Sequence, residues 1–330
     1  MIYNRPEYWL VKTETAVPYL TFSSPNSFTL AVGDATKHWD GTLEYSADKA
    51  TWATWDGTTT LSSATSGSDN VLYLRGTGNT KIGYYDEVYE EDYIPWTING
   101  TDVHCDGNIE NLLDYATVEA GEHPVMAEQC FGGLFMGSTA LITAPELPAT
   151  TLARSCYEEM FQGCTSLTQA PALPATTLAN YCYADMFSGC TALTQTPELP
   201  ATTLADFCYA YMFYGCTALT QAPVLPATTL ASSCYQYMFK GCTSLIQAPS
   251  LPATTLTASC YNTMFQGCTS LKLSSTQTEE YTVAYRIPTA GTGTTATVAL
   301  NDMFTNTGGT FTGTPTINTT YYLSNTNTIV

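Results

Sequence analysis

The residues of this 330-residue chain that can do chemistry are its twelve cysteines, three histidines and twenty-nine carboxylates. Cys156, Cys182, Cys208, Cys234 and Cys260 each stand 26 residues after the last, and Cys164, Cys190, Cys216, Cys242 and Cys268 follow them by eight. Such a series can make a disulfide ladder or a metal array. Eight residues along a continuous helix span about 12 Å, whereas a disulfide needs its Cα atoms within about 7 Å. Helices packed side by side lie roughly 8–10 Å apart, again too far. Second cysteines beside a strand stack at about 4.8 Å, yet pairing five of them leaves one over. No Cys-x-x-Cys or Cys/His spacing of a zinc site occurs. The thiols are therefore expected to be reduced and to serve as small core hydrophobes.

The histidines, His38, His104 and His123, sit in no metal or triad motif. His104-Cys105-Asp106 has the residue types of a nucleophilic centre, but contiguous side chains rarely converge on one atom. Gly76-Thr77-Gly78 and Gly291-Thr292-Gly293 lack the Gly-Lys-Ser/Thr continuation of a phosphate loop. Residues 82–153 hold no Lys or Arg but carry Asp86, Glu87, Glu90, Glu91, Asp92, Asp102, Asp106, Glu110, Asp114, Glu119, Glu122, Glu128 and Glu146. Clustered carboxylates suit Ca²⁺; without EF-hand spacing they read better as a solvated acidic surface. The chain reads as non-enzymatic and is expected to carry no cofactor.

Ten Lys+Arg against twenty-nine Asp+Glu leave a formal net charge of −19, which disfavours nucleic acid and anionic membrane surfaces as partners. No apolar run reaches the eighteen or so residues that span a bilayer. The start, Met1 to Trp9, has no signal-peptide core, so an ordinary secretory route is not expected.

The elements that must position these residues are set by the 26-residue period, a length typical of stacked repeats. One unit runs Cys182-Tyr183-Ala184-Asp185-Met186-Phe187-Ser188-Gly189-Cys190-Thr191-Ala192-Leu193 and then reaches Leu199-Pro200-Ala201-Thr202-Thr203. Cys182, Tyr183, Met186, Phe187 and Cys190 fit one face of a short helix ended by Gly189. Leu193 and Leu199 flank a Pro-containing extended stretch. Degenerate copies stand at Cys130–Ser138 and from Asp302-Met303-Phe304 onward.

The motif Met186-Phe187-Ser188-Gly189-Cys190-Thr191-Ala192-Leu193 resembles the BspA-like (Treponema-type) leucine-rich repeats, over about residues 130–272. The unit is three residues longer than is usual for them. The resemblance implies a bacterial surface protein, or a related phage or prophage product, with a role in adhesion and no named ligand.

The expected fold is mixed α/β. Residues 1–95 form an Ig-like β-sandwich, 96–129 an acidic cap, and 130–273 a leucine-rich-repeat solenoid of short helices and a short-strand parallel sheet. Residues 274–330 form a β-hairpin insertion, Glu280–Ile287 against Ala296–Leu300, followed by a terminal cap. Within the repeats the varying positions are expected to face outward, among them Arg154/Ser155, Glu158/Glu159 and Ala184/Asp185. Tyr181, Phe207, Tyr211, Tyr214 and Tyr237 are expected to cluster there as an interface, against the alternative of neutral drift on a polar face. Trp52 and Trp55 invite a carbohydrate platform, against the alternative that tryptophans fill the sandwich core.

These readings point to a non-catalytic adhesion or recognition protein on an extracellular surface, whose partner is a protein or glycan of a host or mucosal surface. A phage virion fibre or decoration protein, joined to other virion proteins through its amino-terminal segment, is favoured over a bacterial envelope adhesin. An accessory module of a glycan-degrading system is the alternative.

Overall fold

A computed structural model describes residues 17–33, 39–83, 93–291 and 295–330. The amino-terminal strands are β1 (Leu20–Ser24), β2 (Thr29–Val32), β3 (Thr42–Ser46), β4 (Ala53–Trp55), β5 (Leu61–Ser62), β6 (Ala64–Ser66), β7 (Asp69–Thr77), β8 (Trp96–Asn99) and β9 (Val103–Asp106). Helix α1 (Asn111–Glu119) and strand β10 (Leu141–Thr143) follow. One sheet has the order β10-β9-β1-β7-β3-β4, with β6 also on β7; a second has the order β5-β2-β8. Alternation along β1 sends Leu20 and Phe22 inward. The two sheets meet through Trp55 and Trp96, whose rings lie edge to face at 5.4 Å.

The sheet does not stop where the repeats begin. β9 pairs antiparallel with β1 and parallel with β10 of the first, degenerate repeat. Phe22 and Trp96 both pack edge-on against Phe135, so sheet core and repeat core are continuous. Helix α1 lies over β7, where Gly76 permits the approach: a Cβ there would stand 1.7 Å from the Leu112 carbonyl oxygen. Asp114 interrupts the helix with extended backbone, and its carboxylate accepts the N–H groups of Thr117 and Gly78.

The repeats are not a mixed α/β leucine-rich-repeat solenoid. The fold is mostly β, and the two helices among the described residues, α1 and α2 (Ala296–Ala299), both lie outside the full repeats. Each stretch expected to be helical is a run of turns. Every fourth residue has positive φ, as at Tyr181 (61°), Asp185 (53°) and Gly189 (74°), which no α-helix accommodates. Backbone donors then alternate. Ala184 and Ser188 donate within the rung to the carbonyls of Tyr181 and Asp185, whereas Tyr183, Asp185 and Phe187 donate to Cys208, Ala210 and Met212 of the next rung. Side chains at i, i+1, i+4 and i+5 point inward with a period of four, close enough to 3.6 to read as a helix.

The expected parallel sheet is likewise absent as a continuous element. The Pro-containing returns touch through isolated parallel bridges, Gln169 to Gln195, Gln221 to Gln247, Thr151 to Thr177 and Thr203 to Thr229. Proline has no N–H to extend these bridges into strands. Cohesion comes from the inter-rung turn bonds and from the core. Phe135, Phe161, Phe187, Phe213, Phe239, Phe265 and Phe304 stack in one column with centroids 5.6–5.8 Å apart. Tyr157, Tyr183, Tyr209, Tyr235 and Tyr261 stack in another at 5.7–5.8 Å.

All twelve cysteines are buried free thiols. Those of the second column, such as Cys190, donate Sγ–H to the Phe carbonyl 29 residues earlier, at 3.0–3.1 Å. Burial pushes the thiols of Cys182 and Cys190 up to about 12, so they are neither thiolates nor nucleophiles.

At the carboxyl end the chain forms β11 (Gln247–Ala248), β12 (Thr255–Leu256), β13 (Lys272–Ser274), β14 (Tyr281–Arg286), β15 (Thr289–Ala290), α2, β16 (Gly308–Gly309), β17 (Thr320–Ser324) and β18 (Thr328–Ile329). The expected hairpin does not form. β14 pairs antiparallel with β17, while 296–300 enters α2 and the final rung. That rung is real: Tyr261, Thr263 and Phe265 donate to the carbonyls of Ala299, Asn301 and Met303. Tyr285 closes the core, edge-on to Phe304 and donating to the Pro249 carbonyl. No helix among the described residues is long and apolar enough to cross a membrane.

Candidate functional site

The left-handed positions of the turn segment form columns along the stack, their large members half-buried and Ser155, Ser233 and Thr263 buried. One column reads Gln129, Ser155, Tyr181, Phe207, Ser233 and Ser259, with φ between 52° and 61°. The next reads Glu159, Asp185, Tyr211, Tyr237 and Thr263, with φ between 53° and 58°. Left-handed backbone costs a non-glycine residue on the order of 1 kcal/mol, and the inter-rung hydrogen bonds from these same residues offset it.

The five aromatics expected to cluster do so, in two stacks. Tyr181 and Phe207 lie face to face at 4.7 Å with 5° between planes. Tyr211 and Tyr237 lie at 4.4 Å and 15°, with Tyr214 tilted beside Tyr211 at 6.0 Å. Tyr214 is 38% exposed and the others are half-buried. A cation sits over each stack. The Arg154 guanidinium is 5.9 Å from the Tyr181 centroid, and Lys240 Nζ is 5.1 Å from Tyr237 and 5.7 Å from Tyr214. These are the only cations between residues 146 and 271 of the sequence.

A polar cavity of about 400 Å³ opens where the first stack ends, with Ser155 and Gln129 continuing the column beyond Tyr181. Tyr93, Arg154, Glu158 and Glu159 form its walls. The Tyr93 hydroxyl donates to Glu158 Oε2 at 2.9 Å. Burial raises the Glu158 carboxyl, opposed by hydrogen bonds from Ser155 and Tyr93 and by Arg154. Burial, then the Glu159 and Glu158 charges, push the nearby Asp185 carboxyl up to about 7. Tyr211 is pushed up to about 12 by burial, Tyr237 and Asp185. Tyr93 and Gln129 were not candidates from the sequence: neither lies in a full repeat, so no period marked them.

Other expected sites come apart. Trp55 is 1% exposed, its indole N–H donating to the Thr59 carbonyl within the sheet core, and offers no face to a sugar. Trp52 is half-buried, and the Arg75 guanidinium covers its ring at 4.0 Å. The pleat of β9 separates His104-Cys105-Asp106, burying Cys105 and turning its neighbours to the other face. His123 instead pairs with the buried Glu110 at 2.8 Å. His38 and the acidic residues 86–92 lie outside the described residues. Among the described residues no three His, Cys, Asp or Glu side chains gather as a metal site.

Compared with protein-family models, curated proteins and solved structures, the chain matches none of them.

Proposed function

We propose that the protein is a non-catalytic recognition protein, displayed on an extracellular surface, whose outer aromatic columns bind a protein or glycan of a host or mucosal surface. One observation carries this reading. The inner residues of each rung repeat almost without change, whereas Tyr181, Phe207, Tyr211, Tyr214 and Tyr237 break the repeat only in the middle rungs and only on the outer face. Aromatic side chains gathered on one face, with a cation at each stack, have the composition of interaction hot spots. Kinship with BspA-like surface proteins is proposed on the repeat motif alone, and a virion fibre or decoration protein is the proposed setting.

The test is binding of the intact protein to host cells and to mucin. Tyr211→Ala with Tyr214→Ala is expected to weaken binding at least tenfold while the melting temperature stays within a few degrees. Unchanged binding by the double variant overturns the aromatic-face reading. Virion proteomics checks the setting: recovery of the protein from purified particles supports it, and its absence from them removes it.

A further inference from the structure

The aromatic column that ends at Tyr181 leaves an empty ring position. Residues 129, 155, 181 and 207 are equivalent, one per rung, with left-handed backbone at each. The Tyr181 ring is parallel to that of Phe207 on one side, and toward the preceding rung it faces no ring but the small Ser155 and the Arg154 guanidinium, 5.9 Å from its centroid. Neighbouring rungs in hydrogen-bonding contact repeat at about 4.8 Å, so the levels of Tyr181 and Gln129 stand about 10 Å apart. A ring stacked at van der Waals contact on both faces needs about 7 Å. The cavity of about 400 Å³ is therefore a slot that takes a six-membered ring laid on Tyr181 once the Arg154 guanidinium swings aside.

The walls decide which ring. The rim carries the Gln129 amide, the Arg154 guanidinium and the Glu158 and Glu159 carboxylates. A flat aromatic ligand would desolvate these groups and return few hydrogen bonds, leaving buried polar groups unpaired. A pyranose lays its C–H face on the tyrosine and turns its equatorial hydroxyls to the rim. There the carboxylates and amide accept, and the guanidinium and amide donate. Arg154 is exposed, with Glu128 at 3.7 Å and the Tyr181 ring at 5.9 Å as long contacts, so it can follow the ligand. The carboxylates of Glu128, Glu158 and Glu159 outnumber Arg154 and Lys81, whose Nζ lies 3.3 Å from Gln129 Oε1, and repel an anionic sugar.

We infer that the slot between Tyr181 and Gln129, above Ser155, is a binding site for one uncharged pyranose residue of a glycan. This rests on the proposed recognition function and narrows its ligand at one end of the aromatic face.

The experiment uses the intact protein on a glycan array, then ligand-observed NMR titration with the methyl pyranoside of the terminal sugar that binds. Wild type is expected to bind neutral glycans and to ignore sialylated and uronate-terminated ones. Ser155→Tyr fills the slot with the ring that Tyr181 and Phe207 already carry at the same backbone conformation, and is expected to abolish binding. Tyr181→Ala is expected to weaken it at least tenfold, and Ser259→Tyr, four rungs away, to leave it unchanged. Undiminished binding by Ser155→Tyr, or binding of sialylated glycans alone, overturns the assignment. No neutral glycan bound, with binding to cells still dependent on Tyr211 and Tyr214, overturns the slot and leaves the broader reading standing.

Discussion

Tyr183 and Tyr181 are two residues apart on one rung, yet their columns follow different rules. Tyr183 belongs to an inner column whose rings repeat at 5.7–5.8 Å through five rungs. Tyr181 belongs to an outer pair closed to 4.7 Å that ends after two rings. Inner rings take the spacing that the backbone allows, because each must fill the volume between its neighbours. Outer rings have solvent beside them, so they slide into closer facial contact and can be exchanged for serine without opening a void in the core. Repetition is enforced inside; outside, the rungs are free to differ, and that is where the proposed ligand would be read.

The largest contrast should come from truncating one ring of each kind. Phe187→Ala removes a fully buried ring from the middle of the Phe column and is expected to cost about 3–5 kcal/mol in urea unfolding. Phe207→Ala should cost less than about 1 kcal/mol. Equal losses would erase the distinction between the columns.

A smaller effect separates the columns by pH. Asp185 has a folded-state carboxyl at about 7, above its ordinary 3.8, because of burial and the charges of Glu159 and Glu158. Below about pH 4 the carboxyl is protonated in both states. As pH rises, the unfolded chain ionises first, so the native state holds the extra proton and stability falls until about pH 7. The decline due to Asp185 is on the order of 2–4 kcal/mol. Asp185→Asn should flatten that part of the profile and be the more stable protein at pH 8, as measured by denaturant unfolding between pH 4 and 8.

Hydroxyl deletion gives the finest comparison. Among the described residues, the buried hydroxyls of Tyr157, Tyr183 and Tyr209 have no hydrogen-bond partner. Tyr183→Phe relieves that desolvation and is expected to stabilise the protein by about 1 kcal/mol. Tyr214→Phe, at an exposed ring, should change stability by less than about 0.5 kcal/mol. A destabilised Tyr183→Phe would mean that its hydroxyl is satisfied in the folded protein.

Much of this was legible along the chain. The 26-residue spacing identified the rungs, and invariance at Cys182, Tyr183, Met186, Phe187 and Cys190 identified the core, because stacked equivalents must fill equivalent volumes. Variation at 181, 185, 207, 211, 214 and 237 marked the outer face for the same reason. The same rule sent Ser155 and Ala184 outward, but the structure buries both, because small side chains are covered by their neighbours. What a period of four apolar positions could not convey is backbone conformation. It fits helix and turn alike, and only the left-handed φ at every fourth residue, stabilised by donors reaching the next rung, separates them. Trp52 and Trp55 carried the same ambiguity, since burial depends on which sheet covers a strand. Tyr93 and Gln129 meet Ser155 and Tyr181 only after the chain has stacked. The sequence by itself determined which invariant side chains are core. The tertiary structure decided how the backbone carries them, and where the outer aromatic column leaves one ring position open.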